Sequence, residues 1–327
     1  MLNRFKRIFG ELAAAAIMAS GVAAPAVAAD VWRFGVVEAK GDAGILFMPA
    51  KFGPKYDIDI QMVGFASSTT PVRALISGAL DVFTTSPAVA LPAMSRGARL
   101  KFIGCNWPGA TYDLYGAADV KSIADLKGKS VGVSGPGSAP DLFAREILSQ
   151  NGLSEKDVTF ANSGGGSDRF KALAAGIVNA TATSTEFEPE AEKQGFKVLA
   201  SAYRDMPNFA RNCLVTTEEV VKNRHDGLVR FLAANMDALS FVLSHPDETM
   251  ALARETAKLP PLDTSAAFIY EEAKRQKSLD PTLAVPVDKI QWIEDMLARH
   301  HAIPASQPIA DFIDDGARQD AQKLLKP

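Results

Sequence analysis

One pattern in this chain occurs twice. Ala74-Leu75-Ile76-Ser77-Gly78-Ala79-Leu80-Asp81 is matched ninety-eight residues later by Ala172-Leu173-Ala174-Ala175-Gly176-Ile177-Val178-Asn179. The register then runs on without a gap. Thr85-Ser86 falls on Thr183-Ser184, Ala93 on Ala191, Gly97 on Gly195 and Leu100 on Val198. Each copy reads as a helix end, a glycine turn, a short strand, a Thr/Ser loop, a second helix, a glycine stop and a strand. A chain that repeats one α/β unit builds two similar lobes, and two lobes enclose a cleft.

Strands and helices alternate on both sides of the repeat. Strands are expected at 32–37, 58–63, 80–84 and 100–104 in the first lobe, and at 130–133, 158–161, 177–183 and 197–201 in the second. Helical patterns lie between them, such as 141–150, stopped by Asn151-Gly152. This alternation predicts mostly parallel sheets flanked by helices. From Thr217 onward only helices are expected: 227–244, 247–257, 265–275 and 287–299. Segments 113–117 and 210–215 are read as the two crossings between lobes, forming a two-stranded hinge.

The first residues set the compartment. Arg4, Lys6 and Arg7 precede an apolar run, and Ala26-Val27-Ala28 offers small residues for cleavage. Residues 1–28 therefore read as a secretory signal rather than a lasting span. No Cys stands at the cleavage site to take a lipid anchor, so the expected product is exported and soluble. Losing this segment removes three basic groups and Glu11, lowering the net charge from −3 to −5. That excludes a broadly basic nucleic-acid binder. Cys105 and Cys213 are read as buried residues; export permits their pairing without requiring it.

Candidate ligand contacts lie where strands end, since open α/β sheets bind ligands beyond their carboxyl ends. Four loops qualify: 37–43, 65–71, 134–141 and 164–169. All but 37–43 are rich in Gly, Ser and Thr, and their N–H groups and helix N-termini favour anions. Arg169 is expected to grip a carboxylate or sulfonate with two bonds. Gly135-Pro136-Gly137 is not a nucleotide fingerprint, because Pro140 stands where the third glycine belongs and no Gly-Lys-Ser/Thr follows. All four histidines lie in the C-terminal third, so no strand-end Ser has a base beside it. His300 and His301 point about 100° apart on a helix and are expected to serve its C-terminus. No metal site and no cofactor is expected.

The run Lys121-Ser122-Ile123-Ala124-Asp125-Leu126-Lys127-Gly128-Lys129-Ser130-Val131-Gly132-Val133 resembles the opening of the second lobe in the nitrate/sulfonate/taurine branch of periplasmic substrate-binding proteins. Gly137-Ser138, Asn151-Gly152-Leu153 and Asp157-Val158 follow in that family's order. The resemblance implies a type II two-lobed fold that closes over a small ligand. Lobe 1 would be 29–112 plus 214–327, and lobe 2 would be 113–213. It also implies binding positions at Glu38, Asp42, Ser67, Ser68 and Ser86 in the first lobe. In the second they are Ser134, Gly137, Ser138, Ala139, Ser167, Arg169, Thr185 and Glu186. Pro136, Pro140 and Asn179 depart from the family pattern and leave the ligand open. The implied function is capture of a small organic anion for an ABC permease in the inner membrane, by a periplasmic monomer that is not an enzyme. Alternatives are a neutral pyrimidine- or flavin-like ring sandwiched by Phe65, Trp107 and Phe187, a sensor subunit for a membrane kinase, or an exported enzyme.

Overall fold

The computed structural model describes residues 30–37, 43–65, 70–258 and 265–325. The proposed signal segment and Glu38, Asp42, Ser67 and Ser68 lie outside the described residues. The first sheet takes β1 (Asp30–Val37), β2 (Ile58–Phe65), β3 (Val82–Thr85) and β4 (Leu100–Trp107). The short helices α1 (Ala43–Leu46) and α2 (Gly53–Lys55) lie between β1 and β2. They are followed by α3 (Thr70–Ile76) and α4 (Pro87–Met94) on either side of β3. The second sheet takes β5 (Tyr112–Gly116), β6 (Ser130–Val133), β7 (Thr159–Asn162), β8 (Ala180–Ser184) and β9 (Lys197–Ser201). Its helices are α5 (Ala139–Gln150), α6 (Gly166–Ala174) and α7 (Glu188–Lys193). The chain returns through α8 (Ala202–Asp205) and β10 (Asn212–Thr217). It ends in α9 (Glu218–Asn223), α10 (His225–Ser244), α11 (Pro246–Ala257), α12 (Ser265–Arg275), α13 (Val287–Arg299) and α14 (Gly316–Leu325).

The two sheets have matching orders, β2-β1-β3-β10-β4 and β7-β6-β8-β5-β9. In each, the fourth strand is antiparallel to its neighbours. That strand is the first one laid down after a crossing, β5 on entry to the second sheet and β10 on return to the first. The segments expected to form the hinge are therefore strands in the interior of opposite sheets. The crossings themselves are 108–111 and 202–211. They meet where Arg211 Nη1 donates to Thr111 Oγ1 at 2.7 Å, and the Arg211 N–H donates to the Trp107 carbonyl at the end of β4 at 3.1 Å.

The repeat is structural, down to its hydrogen bonds. α3 and α6 both end on a left-handed glycine, Gly78 (φ 74°) and Gly176 (φ 70°). The next N–H reaches back five residues in each case, Ala79 to Ala74 at 2.8 Å and Ile177 to Ala172 at 2.9 Å. Only glycine enters this conformation cheaply, which is why the turn marked both copies in the sequence. Asp81 and Asn179 are also equivalent. Asp81 Oδ2 accepts the Arg33 N–H at 2.7 Å, and Asn179 Oδ1 accepts the Ser130 N–H at 3.0 Å. Both brace the starts of their strands, at the end of the sheet away from the candidate loops. The Asp-to-Asn difference thus carries no information about the ligand.

Helix α10 is long and apolar enough to cross a membrane, but Leu228, Phe231, Leu232 and Leu239 are buried within the first-lobe core. Its Phe231 packs against Trp32 and Phe34 of β1 with ring centroids 5.5 and 5.1 Å apart. A second cluster runs from α4 and β4 through α5 and β8 to α13, so one apolar core is continuous across the two lobes. Cys105 of β4 and Cys213 of β10 form a disulfide. The pairing that the sequence left open is made, and it closes the loop that contains the whole second sheet.

Candidate functional site

A ribbon of backbone pairs carries the strand ends of both lobes to one place. Thr85 pairs with Cys213, Trp107 with Asn212, and Tyr112 with Ser184. Between them the Thr185 N–H donates to the Thr111 carbonyl at 3.0 Å. Arg211 Nη1 donates to Thr111 Oγ1 at 2.7 Å. Thr85, Trp107, Thr111 and Ser184 thus line one short path across the hinge.

Three side-chain atoms on this path are buried and unpartnered: Thr85 Oγ1, Trp107 Nε1 and Ser184 Oγ. Their residues are 3, 3 and 9% exposed. A buried polar group without a partner costs about 1–3 kcal/mol, so three together at strand ends are a specific demand for a ligand or water. Arg211 adds charge. Its guanidinium lies 4.5 Å from the centre of the Trp107 ring, and no carboxylate among the described residues forms an ion pair with it.

The expected site residues divide into several groups. Ser86 stands just before α4 without capping it by its side chain; its hydroxyl instead donates to the Ala210 carbonyl at 3.3 Å, tying the first lobe to the returning crossing. Ser134 accepts from Arg169 Nη1. Gly137 (φ 73°) gives its N–H to Asp141 Oδ2 at 2.8 Å, and a side chain at Gly137 would meet open space. Ser138 caps α5, of which Ala139 is the first residue. Ser167 and Glu186 are half-buried, in the first turn of α6 and in the short 3₁₀ turn after β8. Thr185 donates to Glu272 Oε2 of α12 and is 2% exposed, so its hydroxyl serves the C-terminal helices rather than the cleft.

Arg169 is the clearest departure from expectation. Read as a two-bond anion grip, it is 4% exposed and bonded within its own lobe. Its Nε donates to the Ala182 carbonyl at 2.8 Å and its Nη1 to the Gly164 carbonyl at 2.9 Å, besides Ser134. It fastens the ends of β6 and β8 to the start of α6. The α5 N-terminus is likewise satisfied from within, because Asp141 takes the Gly137 N–H and pairs with Arg145 at 3.0 Å. A carboxylate already at a helix N-terminus opposes a second anion there.

Thr85, Ser184 and Arg211 were not among the contacts expected from the sequence. Ser184 was within reach, since it is Ser86 moved on by ninety-eight. Arg211 stood inside a segment read only as a hinge. Of the rings proposed to sandwich a ligand, Phe187 stacks on Phe170 at 4.8 Å within the second lobe. One face of Trp107 is taken by Arg211.

Two sheets of this order, each with one strand laid down after a crossing, define the two-lobed periplasmic binding protein fold. The same fold occurs in the alkanesulfonate-binding protein SsuA from Xanthomonas axonopodis pv. citri bound to MOPS, at TM-score 0.72 and 18% identity. That match covers 88% of this chain and 98% of that one. The aliphatic sulphonate binding protein SsuA from Escherichia coli matches at TM-score 0.70 and 23% identity, covering 88% and 92%. The nitrate-binding protein NrtA from Synechocystis PCC 6803 matches at 0.72 and 14%, covering 91% and 90%. Within this class the chain belongs to the NMT1/THI5 like family, whose model matches residues 52–249. A protein of Brucella abortus (strain 2308), described only as a binding protein, is 26% identical over 266 residues, 77% of this chain and 75% of that one.

Proposed function

We propose that this chain is the exported, monomeric solute-binding component of an ABC importer, not an enzyme. It captures a small organic anion between its lobes and delivers it to a permease in the inner membrane. The observation that carries this reading is the set of three orphaned polar atoms, Thr85 Oγ1, Trp107 Nε1 and Ser184 Oγ, drawn from both lobes onto one path. Trp107 Nε1 can only donate, and both hydroxyls can donate, which suits a group made of acceptor oxygens such as a sulfonate or carboxylate. Arg211 supplies the positive charge in place of Arg169. Contacts made to both lobes exist together only in the closed form, so the ligand favours closure. The Cys105–Cys213 disulfide suits an oxidising compartment such as the periplasm.

Calorimetry with a panel of alkanesulfonates and carboxylates tests the assignment. Arg211→Gln is expected to weaken the anion that binds best by about 2 kcal/mol, roughly 30-fold. Trp107→Phe should cost about 1 kcal/mol through loss of one donor. Arg169→Ala should instead lower the melting temperature, having removed a buried cation that holds three acceptors. Unchanged affinity in a folded Arg211→Gln variant would remove the charge from the site and transfer the assignment to a neutral solute.

A further inference from the structure

Glu146 reaches from the second lobe to a C-terminal helix. It lies on α5, which packs on β6 and β8 of the second sheet. Its carboxylate accepts from Arg299 at 3.2 Å and bonds His300 Nε2 at 2.6 Å, at the end of α13. Helix α13 belongs with the first lobe. It packs along α4, accepts the Ser95 hydroxyl on Glu294 at 3.2 Å, and sends Lys289 Nζ to the Pro108 carbonyl at 3.0 Å. His300 was expected to serve its own helix end. Instead His301 takes the left-handed turn there (φ 56°), and His300 is left to face the other lobe.

Glu146 is 6% exposed and also accepts from Gln150 at 3.1 Å. Burial alone would raise its pKa. The hydrogen bonds from His300 and Gln150 and the charge of Arg299 hold it below the usual carboxylate value. A buried carboxylate so satisfied loses its partners if α5 moves away from α13, and an uncompensated buried charge is costly.

We infer that Glu146, His300 and Arg299 form a latch between the lobes, positioning them for capture without touching the solute. The inference rests on the two-lobed capture reading, yet it is tested without any solute. Ile76→Cys in α3 and Ile177→Cys beyond α6 place labelling sites on opposite lobes. Both positions are exposed, at 51 and 72%, and the native cysteines are bonded to each other.

Spin-label distances between these sites, measured on dialysed protein, should give one population in the parent. Glu146→Ala and His300→Ala should each add a longer-distance population. The exchanged pair Glu146→His with His300→Glu should restore the parent distribution, which damage to packing alone would not allow. Unchanged distances in folded Glu146→Ala and His300→Ala, or a failure of the exchanged pair to restore them, would overturn the latch. Solute retention by the parent protein is read separately, so failure of the latch is not mistaken for failure of the capture reading.

Discussion

Replacing Cys105 and Cys213 together by alanine is expected to cost this protein more stability than any other change considered. The bond spans 108 residues of sequence. For a loop on the order of 100 residues, the chain-entropy model gives about 4.7 kcal/mol. The enclosed loop is also a structural unit, since β5–β9 all lie between the two cysteines. Removing the bond frees the unfolded second lobe to wander far from the first. Urea unfolding of the oxidised parent and of the double variant measures the difference. The variant midpoint should fall well below that of the parent, with both proteins native at zero urea. Coincident midpoints would show that the disulfide constrains nothing that folding must otherwise order.

The second large effect is a pH dependence centred on Asp113, at the start of β5. Asp113 is 2% exposed and its Oδ1 has no partner. Burial pushes its pKa up to about 7. A hydrogen bond with Ser201 opposes the rise, and the charges of Glu188 and Glu272 add to it. Between its ordinary value of 3.8 and about 7, the folded protein holds a proton that the unfolded chain has released. Stability therefore falls as pH rises through that window and stays lower above it. About three units correspond to about 4 kcal/mol. Asp113→Asn keeps the shape and cannot ionise. It should be more stable than the parent at pH 8 by a few kcal/mol, with the gap closing as pH falls toward 4. Melting curves of the two proteins across this range decide the matter. Parallel curves would mean that Asp113 is ionised at no cost.

Much of the fold was legible because its strongest signals are local. Gly78, Gly97, Gly176 and Gly195 all adopt positive φ, so the turns that made the repeat visible are turns that other residues enter at a cost. Helices α10–α13 were readable from their local pattern, whereas α9 and α14 were not among those expected. Strand partnership was harder. Nothing in Asp113–Ala117 or Ala210–Val215 tells whether the segment bridges two lobes or lies inside a sheet, because pairing is decided by residues far away in sequence.

The candidate site is argued from its location more readily than from its groups. Placing it at strand ends needed only the sheet topology. Choosing which side chains face it needed their partners, and a sequence does not show these. Arg169 has the residue type of an anion contact, but its Nε and Nη1 are turned to Ala182, Gly164 and Ser134 within its own lobe. Thr185 is drawn away by Glu272, which arrives from a helix 87 residues further on. Ser184 could have been reached from Ser86 through the repeat, whereas Arg211 became visible only once the backbone ribbon joining Trp107, Thr111 and Tyr112 was in place.

The central claim is that a small organic anion is captured, unaltered, between the lobes. Native mass spectrometry of the protein recovered from periplasmic extract tests it most directly, followed by release and identification of the bound mass. The account predicts one anionic solute per chain, released intact after prolonged incubation, rebound by the parent and retained poorly by Arg211→Gln. A neutral solute held equally by both proteins would contradict it, as would a released compound that the protein converts to another.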